Sequence, residues 1–325
     1  MKQILYPIVL MSLIFLAAPY IIVKILQPEA LSVTDESLTL VRRAQEQTLP
    51  DLVYNNLEII DLDDFERYLI GVVAAEMPAL FHIEALKAQA VASRTYAIYT
   101  MQTLNMEVFD PARMSEIWQA YISEDEMRRR WGGDFDRHFA TIFYAVSSTA
   151  GEILVYDGAA IVAVFHAFSG GRTEASENVW SEPRPYLRSV PSDFYSHRAD
   201  FEQTLEFSGN EFIGLLRAEF SDITFDEGDI GSQITINTRT EAGYVTQATI
   251  GNKVIDGAAL RRILGLRSTN FTVSRELDKI VFRVKGYGHG AGMSQVGANE
   301  LALRGHSYGE ILKHYYSGVE LWVLP

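Results

Sequence analysis

Glu76 closes an apolar run: Leu69, Ile70, Val72, Val73, Ala74 and Ala75 precede it, and the helix-breaking Pro78 follows. A carboxylate buried in such company loses hydration, so its pKa rises and the proton stays on nearer neutral pH. That is the state a general acid needs. The alternative is a helix-terminal glutamate pointing into water. Downstream, residues 83–104 hold no Gly or Pro and are rich in Ala, Leu, Lys, Gln and Met, which predicts a helix of about six turns. On it, Lys87, Val91, Arg94 and Ile98 share one stripe, and Gln89, Ser93 and Tyr96 share the next. Ala85, Ala88 and Ala92 make a third stripe that admits a close neighbour. Arg94, Gln89 and Tyr96 therefore either line a cleft with Glu76 or form an ordinary amphipathic face.

Strands follow this helical half. EILVY (152–156) and AAIVAVFHAF (159–168) flank Asp157-Gly158, whose residue types suit the positive φ angles of a type I′ hairpin. The second run delivers His166 and breaks at Ser169-Gly170-Gly171 before Arg172 and Thr173, where two glycines let a ligand approach the backbone. With Trp180 downstream, this is either a sugar site, an aromatic platform beside convergent polar groups, or a hydrogen-bonded structural histidine. Further strands are expected at 233–239, 245–250 and 279–284, and a helix at 311–316. The charged stretch 110–141 reads as a solvated helical insert. Its Arg128, Arg129 and Arg130 form either plain surface or a contact for anionic glycan.

The block KGYGHGAGMSQVGANELALRG (285–305) fails several motifs. A dinucleotide fingerprint from Gly286 and Gly288 needs a third glycine at Ala291, and no lysine stands in phosphate-loop register. GMSQVG around Ser294 is one residue too long for a nucleophile elbow, and no HExxH occurs. What remains is a strand, a glycine turn and a helix from near Met293. It either presents N–H groups and His289 to a hydroxyl or carboxylate, or serves only as a tight turn.

Three blocks now stand in order: Glu76-Met77-Pro78 with EALKAQAVASRTY (84–96), FHAFSGGRTEASENVW (165–180) and GYGHGAGMSQVGANELA (286–302), with ILKHYYSGVE (311–320) closing the chain. Together they resemble the SpoIID/LytB family. The resemblance implies a membrane-anchored lytic transglycosylase that cuts denuded peptidoglycan glycan strands during forespore engulfment in sporulation. It places the catalytic acid at Glu76, with Gln89, Arg94, Tyr96, His166, Ser169, Arg172, Tyr287, His289, Ser294 and Gln295 expected to bind substrate. Such an enzyme needs one carboxylate, because the muramic acid C6 hydroxyl is the nucleophile and the product is a 1,6-anhydro sugar. The resemblance also brings a partner amidase and other membrane engulfment proteins as expected partners, and two alternatives: a non-enzymatic enhancer of an amidase, or a glycan-binding scaffold. No cofactor is expected. Without cysteine a thiolate zinc site is excluded, and the seven histidines lack helical ligand spacing, so no metal is expected.

The chain has 325 residues, 48% of them hydrophobic, and a net charge of -14, enough for one large or two modest domains. The acidic balance argues against nucleic acid, which needs a basic field. From Ile4 to Val23 runs an uncharged stretch of 20 residues that matches about 30 Å of hydrocarbon and exceeds the core of about 7–15 residues of a signal peptide. It reads as an uncleaved anchor (1–26), with Lys2 placing the N-terminus in the cytoplasm and Lys24 opposing that. The rest would lie outside the cytoplasm, on the mother-cell membrane facing the forespore if the resemblance holds. Residues 27–55 read as a spacer with a charged piece from Val33 to Gln47, and 56–325 as the catalytic domain. The expected fold is α+β, helices in the first half and strands in the second, with the blocks meeting around one cleft.

Overall fold

The apolar run ending at Glu76 is helical from Asp64 to Glu76 (α1), and the Ala-rich run after it forms α2 (Ile83–Thr103). Met77 N–H still donates to the Val73 carbonyl at 3.0 Å, and Pro78 then stops the ladder. The computed structural model describes residues 64–324, apart from 107–108, 111–112, 114–116, 118, 181, 194–200, 227–229 and 277. The apolar stretch 4–23 and the spacer 27–55, with its charged piece, lie outside the described residues. No described helix is long and apolar enough to cross a membrane.

The chain continues through α3 (Glu124–Trp131), α4 (Phe135–Ser147), β1 (Glu152–Tyr156) and β2 (Ala159–Ala160). Next come β3 (Phe165–His166), β4 (Gly171–Arg172), α5 (Glu177–Trp180), β5 (Pro191–Ser192), β6 (Glu202–Ser208) and α6 (Gly209–Glu219). After β7 (Ile234–Arg239), β8 (Val245–Ile250) and β9 (Lys253–Asp256) stand α7 (Gly257–Leu264), β10 (Phe271–Glu276), β11 (Lys279–Lys285) and β12 (Met293–Ser294). The C-terminal elements are α8 (Gln295–Leu303), α9 (Tyr308–Tyr315) and β13 (Glu320–Val323). This is a mixed α+β chain, helices first and strands later. Its described residues divide into two compact units, one within 64–164 and 298–324 and the other within 165–297.

In the first unit, α2 is buried nearly all round. Ala85, Leu86, Ala88, Ala90, Val91 and Ala92 are all sealed, and their small size lets α1, α4 and β1 pack against it. A sheet in the order β13-β1-β2 completes the unit, with β1 antiparallel to both neighbours. The second unit holds the sheets β10-β11-β6 and β7-β8-β9. Phe212, Leu216, Ile250, Leu260, Phe271 and Phe282 form its core, each contributing about 1.5–3 kcal/mol by burial.

Several expectations need correcting. Asp157 (φ 50°) and Gly158 (φ 77°) do adopt the positive φ of a type I′ turn, but the second arm of that hairpin is two separate elements. Ala159 and Ala160 pair with β1, and Ile161 N–H still donates to the Leu154 carbonyl at 3.2 Å; beyond them Ala163 and Val164 donate to the carbonyls two residues back, at 3.0 and 2.9 Å, which takes the backbone out of the ladder. Phe165 and His166 then pair in parallel with Met293 and Ser294. That pairing also delays α8 to Gln295, where Ser294 Oγ accepts from Gly297 N–H at 3.1 Å. The C-terminal helix starts a turn early, at Tyr308, because Ser307 and Glu310 form a capping box. Arg128, Arg129 and Arg130 pair with Glu124 and Glu126 along α3. Strands β6, β9, β10 and β13 were not foreseen.

Candidate active site

At the end of α1, the Glu76 side chain is 8% exposed. Burial raises its pKa to about 7, and a hydrogen bond of 3.0 Å from Ala120 N–H to Oε1 pulls the other way by favouring the carboxylate. Ala120 reaches that position because of Gly71 in the middle of α1. A Cβ at Gly71 would overlap the Tyr121 ring and lie 2.7 Å from the Ile122 carbonyl oxygen. The bare backbone instead lets residues 120–122 lie against the helix, where Ile122 N–H donates to the Gly71 carbonyl at 3.2 Å. Tyr121 stacks on Tyr68, with centroids 5.7 Å apart and planes within 13°. Burial first, and then the Glu76 charge, push the Tyr68 phenol well above its ordinary pKa; Tyr96 is raised in the same direction, mainly by burial. The Glu76 charge thus contributes to the shift of both phenols.

The α2 residues expected beside Glu76 divide. Tyr96 is half-buried and senses its charge. Gln89 is sealed, with Nε2 donating to Ser93 Oγ at 3.0 Å. Arg94 does not face an open cleft: it is 0% exposed, and its Nε and Nη2 donate to the two Glu66 oxygens, both at 2.7 Å. Nη1 and Nη2 also reach the Glu152 and Val146 carbonyls, at 3.1 and 3.3 Å. The stripe arithmetic was right, but its face packs on α1 and β1, so the guanidinium ties these elements together.

In the second unit the glycine block is built by its backbone. Gly286, Gly288, Gly290 and Gly292 all have positive φ, and a Cβ on Gly288 or Gly290 would come within 2.7 Å of His166 Cβ or Tyr244 Oη. His166 Nδ1–H donates to the Ala291 carbonyl at 3.1 Å, so its Nε2 accepts from Ser169 Oγ at 2.8 Å. His289 takes the other tautomer, with Nδ1 accepting from Ala291 N–H at 3.1 Å and the opposite nitrogen serving the Phe165 carbonyl. Burial depresses both, His166 well below its ordinary value and His289 to about 4, so both rings are neutral at physiological pH. His289 stands in the loop before α8, not at its N-terminus. It lies 5.0 Å from Trp180, which is 45% exposed, and 5.7 Å from His166. Arg172 is exposed and donates to Ser189, Tyr287 packs edge-on against Phe168, and Ser294 and Gln295 are buried at the start of α8.

A family model described as "SpoIID: Stage II sporulation protein" matches residues 53–156. Stage II sporulation protein D of Bacillus amyloliquefaciens is 39% identical over 261 residues, covering 79% of this chain and 73% of that protein. The chain belongs to the SpoIID family. Its counterpart in Bacillus subtilis (strain 168) is 37% identical over 260 residues, 79% of this chain and 74% of the relative. A protein of the same organism named "Amidase enhancer" is 29% identical over 300 residues, but the match covers only 40% of it. The SpoIID match contains Glu76, Gln89, Arg94 and Tyr96, together with Tyr68, Gly71, Gln119 and Tyr121, which sequence reasoning missed. A glycine inside a run of helix formers was the available signal for that second group.

Proposed function

We propose that this chain is a peptidoglycan lytic transglycosylase in which Glu76 is first the acid and then the base. The observation that carries the reading is a buried carboxyl whose pKa is raised to about 7 and which accepts a hydrogen bond from the Ala120 N–H. Near neutral pH such a group gives up and recovers a proton with little cost in either direction. Protonated Glu76 donates to the oxygen bridging N-acetylmuramic acid and N-acetylglucosamine, and the bond from C1 to that oxygen breaks. The muramic acid C6 hydroxyl attacks C1 and returns its proton to the Glu76 carboxylate. The products are a 1,6-anhydromuramoyl end and a free N-acetylglucosamine 4-hydroxyl. The Ala120 N–H stabilises the carboxylate between the two transfers.

We assign glycan contact to Tyr96 in the first unit and, as a surface of its own, to Trp180, His289 and Arg172 in the second. The exposed Trp180 ring supplies a stacking face and the neutral His289 a polar edge. His166, Ser169, Tyr287, Ser294 and Gln295 hold that surface, and Gln89 and Arg94 hold the helices behind Glu76. We assign residues 1–26 to a membrane anchor, 27–55 to a spacer and 56–325 to an extracytoplasmic catalytic domain. The setting is forespore engulfment from the mother-cell membrane, and the substrate is glycan stripped of peptide. Mass spectrometry of peptide-free strands incubated with the protein tests the activity: anhydro ends are expected, and free reducing ends would point to plain hydrolysis.

The relative named for amidase enhancement supports a second reading, in which the chain stimulates a partner amidase without cutting glycan. Glu76→Gln separates the two. An enhancer keeps its effect in that variant, whereas a transglycosylase loses its product.

A further inference from the structure

The Ala120 N–H that Glu76 accepts lies in residues 119–123, a stretch that is neither helix nor strand. Backbone without a ladder of its own is placed by what its side chains and N–H groups meet on neighbouring elements. Two such contacts follow Ala120: Tyr121 stacks on Tyr68, and Ile122 N–H donates to the Gly71 carbonyl. Another stands directly before it. Gln119 Nε2 donates to the Ser93 carbonyl of α2 at 3.2 Å. The Gln119 side chain also hydrogen-bonds the Tyr68 phenol of α1, which draws that phenol back toward its ordinary pKa against the effect of burial. Both anchor points are sealed, Tyr68 at 4% and Ser93 at 0% exposure. A primary amide has two hydrogens to give, so one side chain can tie α1 and α2 together.

The Ala120 N–H belongs to the rigid peptide plane that begins at Gln119 Cα, so whatever fixes Gln119 turns that N–H. We propose that Gln119 is a positioning residue for the Glu76 carboxyl: its amide, braced on Tyr68 and Ser93, aims the Ala120 N–H at Glu76 Oε1. The positioning stands on geometry, and its catalytic meaning rests on the transglycosylase reading above. Around the carboxyl, α1 brings Tyr68, α2 brings Tyr96, and the 119–122 stretch brings the Ala120 N–H and Tyr121. Tyr68 and Tyr96 are shifted toward the neutral form, so neither phenol carries a charge near neutral pH. Burial raises the Glu76 pKa and the aimed N–H lowers it. Gln119 thus acts on the side that favours the carboxylate, the form that must take back a proton in the second half of the reaction.

Gln119→Met tests this, because it keeps the length of the side chain and removes its hydrogen bonds. Carbon NMR titration of the full-length protein in detergent, labelled at glutamate carboxyls, reads the outcome; the Glu76 signal is the one lost in Glu76→Gln. The Glu76 pKa should rise by about one unit, a tenfold change in its ionisation constant, because a hydrogen bond to a charged group has lost its aim. Tyr68→Phe keeps the ring on Tyr121 and removes one brace, so it should give a smaller rise of the same sign. It decides alone if Gln119→Met does not fold. An unmoved or lowered Glu76 pKa would overturn the positioning role even with a lower melting temperature, since a merely structural glutamine would change the melting and leave the carboxyl where it is. The titration needs no substrate, so the two readings fail separately. A raised pKa in a protein that releases no anhydro ends keeps the positioning role and removes the transglycosylase; anhydro ends with an unmoved carboxyl do the reverse.

Discussion

Glu66 and Glu76 stand near opposite ends of α1, are almost equally buried at 6% and 8% exposure, and meet opposite company. Glu66 receives both arms of the Arg94 guanidinium and the Gly151 N–H at 3.2 Å. Glu76 accepts from the Ala120 N–H, and the Tyr68 and Tyr96 phenols that feel its charge are themselves shifted toward the neutral form. A buried carboxylate with a bidentate cation is an anchor, whereas one whose desolvation outweighs the hydrogen bond it accepts keeps a proton it can exchange. The same residue type on the same helix thus serves structure at one end and, at the other, holds the proton to which we assign the chemistry. What separates them is the partner each is given.

The largest expected effect breaks the structural end. Arg94→Ala leaves Glu66 buried without its cation, which should cost about 3–5 kcal/mol in denaturant unfolding. A loss under about 1 kcal/mol would show that the pair is not what binds α2 to α1. The chemical end should behave in the opposite way. Because the folded pKa of Glu76 is raised from 4.5 to about 7, its ionisation opposes folding. That penalty is absent below about pH 4.5, grows as pH rises and is complete above about pH 7. Glu76→Gln should therefore be more stable than the wild type by about 3 kcal/mol at pH 8, with the gain fading toward pH 4.5. Thermal unfolding across that range checks it, and a Gln variant destabilised at pH 8 would mean that the carboxylate is held by attraction, as Glu66 is.

A smaller effect is expected between the two ends. Gly→Ala inside a helix usually stabilises by up to about 1 kcal/mol. At Gly71 the new methyl would strike Tyr121 and the Ile122 carbonyl, so the sign should reverse, to a loss of about 1–3 kcal/mol. Pushing residues 120–122 away also removes the N–H that favours the Glu76 carboxylate, so the alkaline limb of the pH–rate profile, near pH 7 in the wild type, should move upward. An unmoved limb would detach the Ala120 contact from the proton chemistry.

The burial of Glu76 was legible because an apolar run, a carboxylate and a proline are all local signals. The Asp157-Gly158 turn was legible for the same reason: both residues need positive φ. Arg94 was misread because periodicity places residues on a stripe without saying what covers it, and α2 is small-residued and packed nearly all round. The hairpin's second arm was drawn too long, since its apolar letters serve one unit up to Val164 and the other from Phe165. Tyr68 and Gln119 were missed because their contact joins two distant segments, which no single window contains. The alternation of Gln203, Leu205 and Phe207 in β6 was present in the sequence and passed over.

The central claim is that Glu76 moves the proton in both halves of a cleavage that ends in an anhydro sugar. Mass spectrometry of the ends released from peptide-free glycan strands, with wild type and Glu76→Gln compared at pH 6.5, tests it most directly. The account predicts 1,6-anhydromuramoyl ends from the wild type and a yield lower by about 10²–10⁴-fold from a folded Glu76→Gln. Equal yields from the two proteins would contradict it.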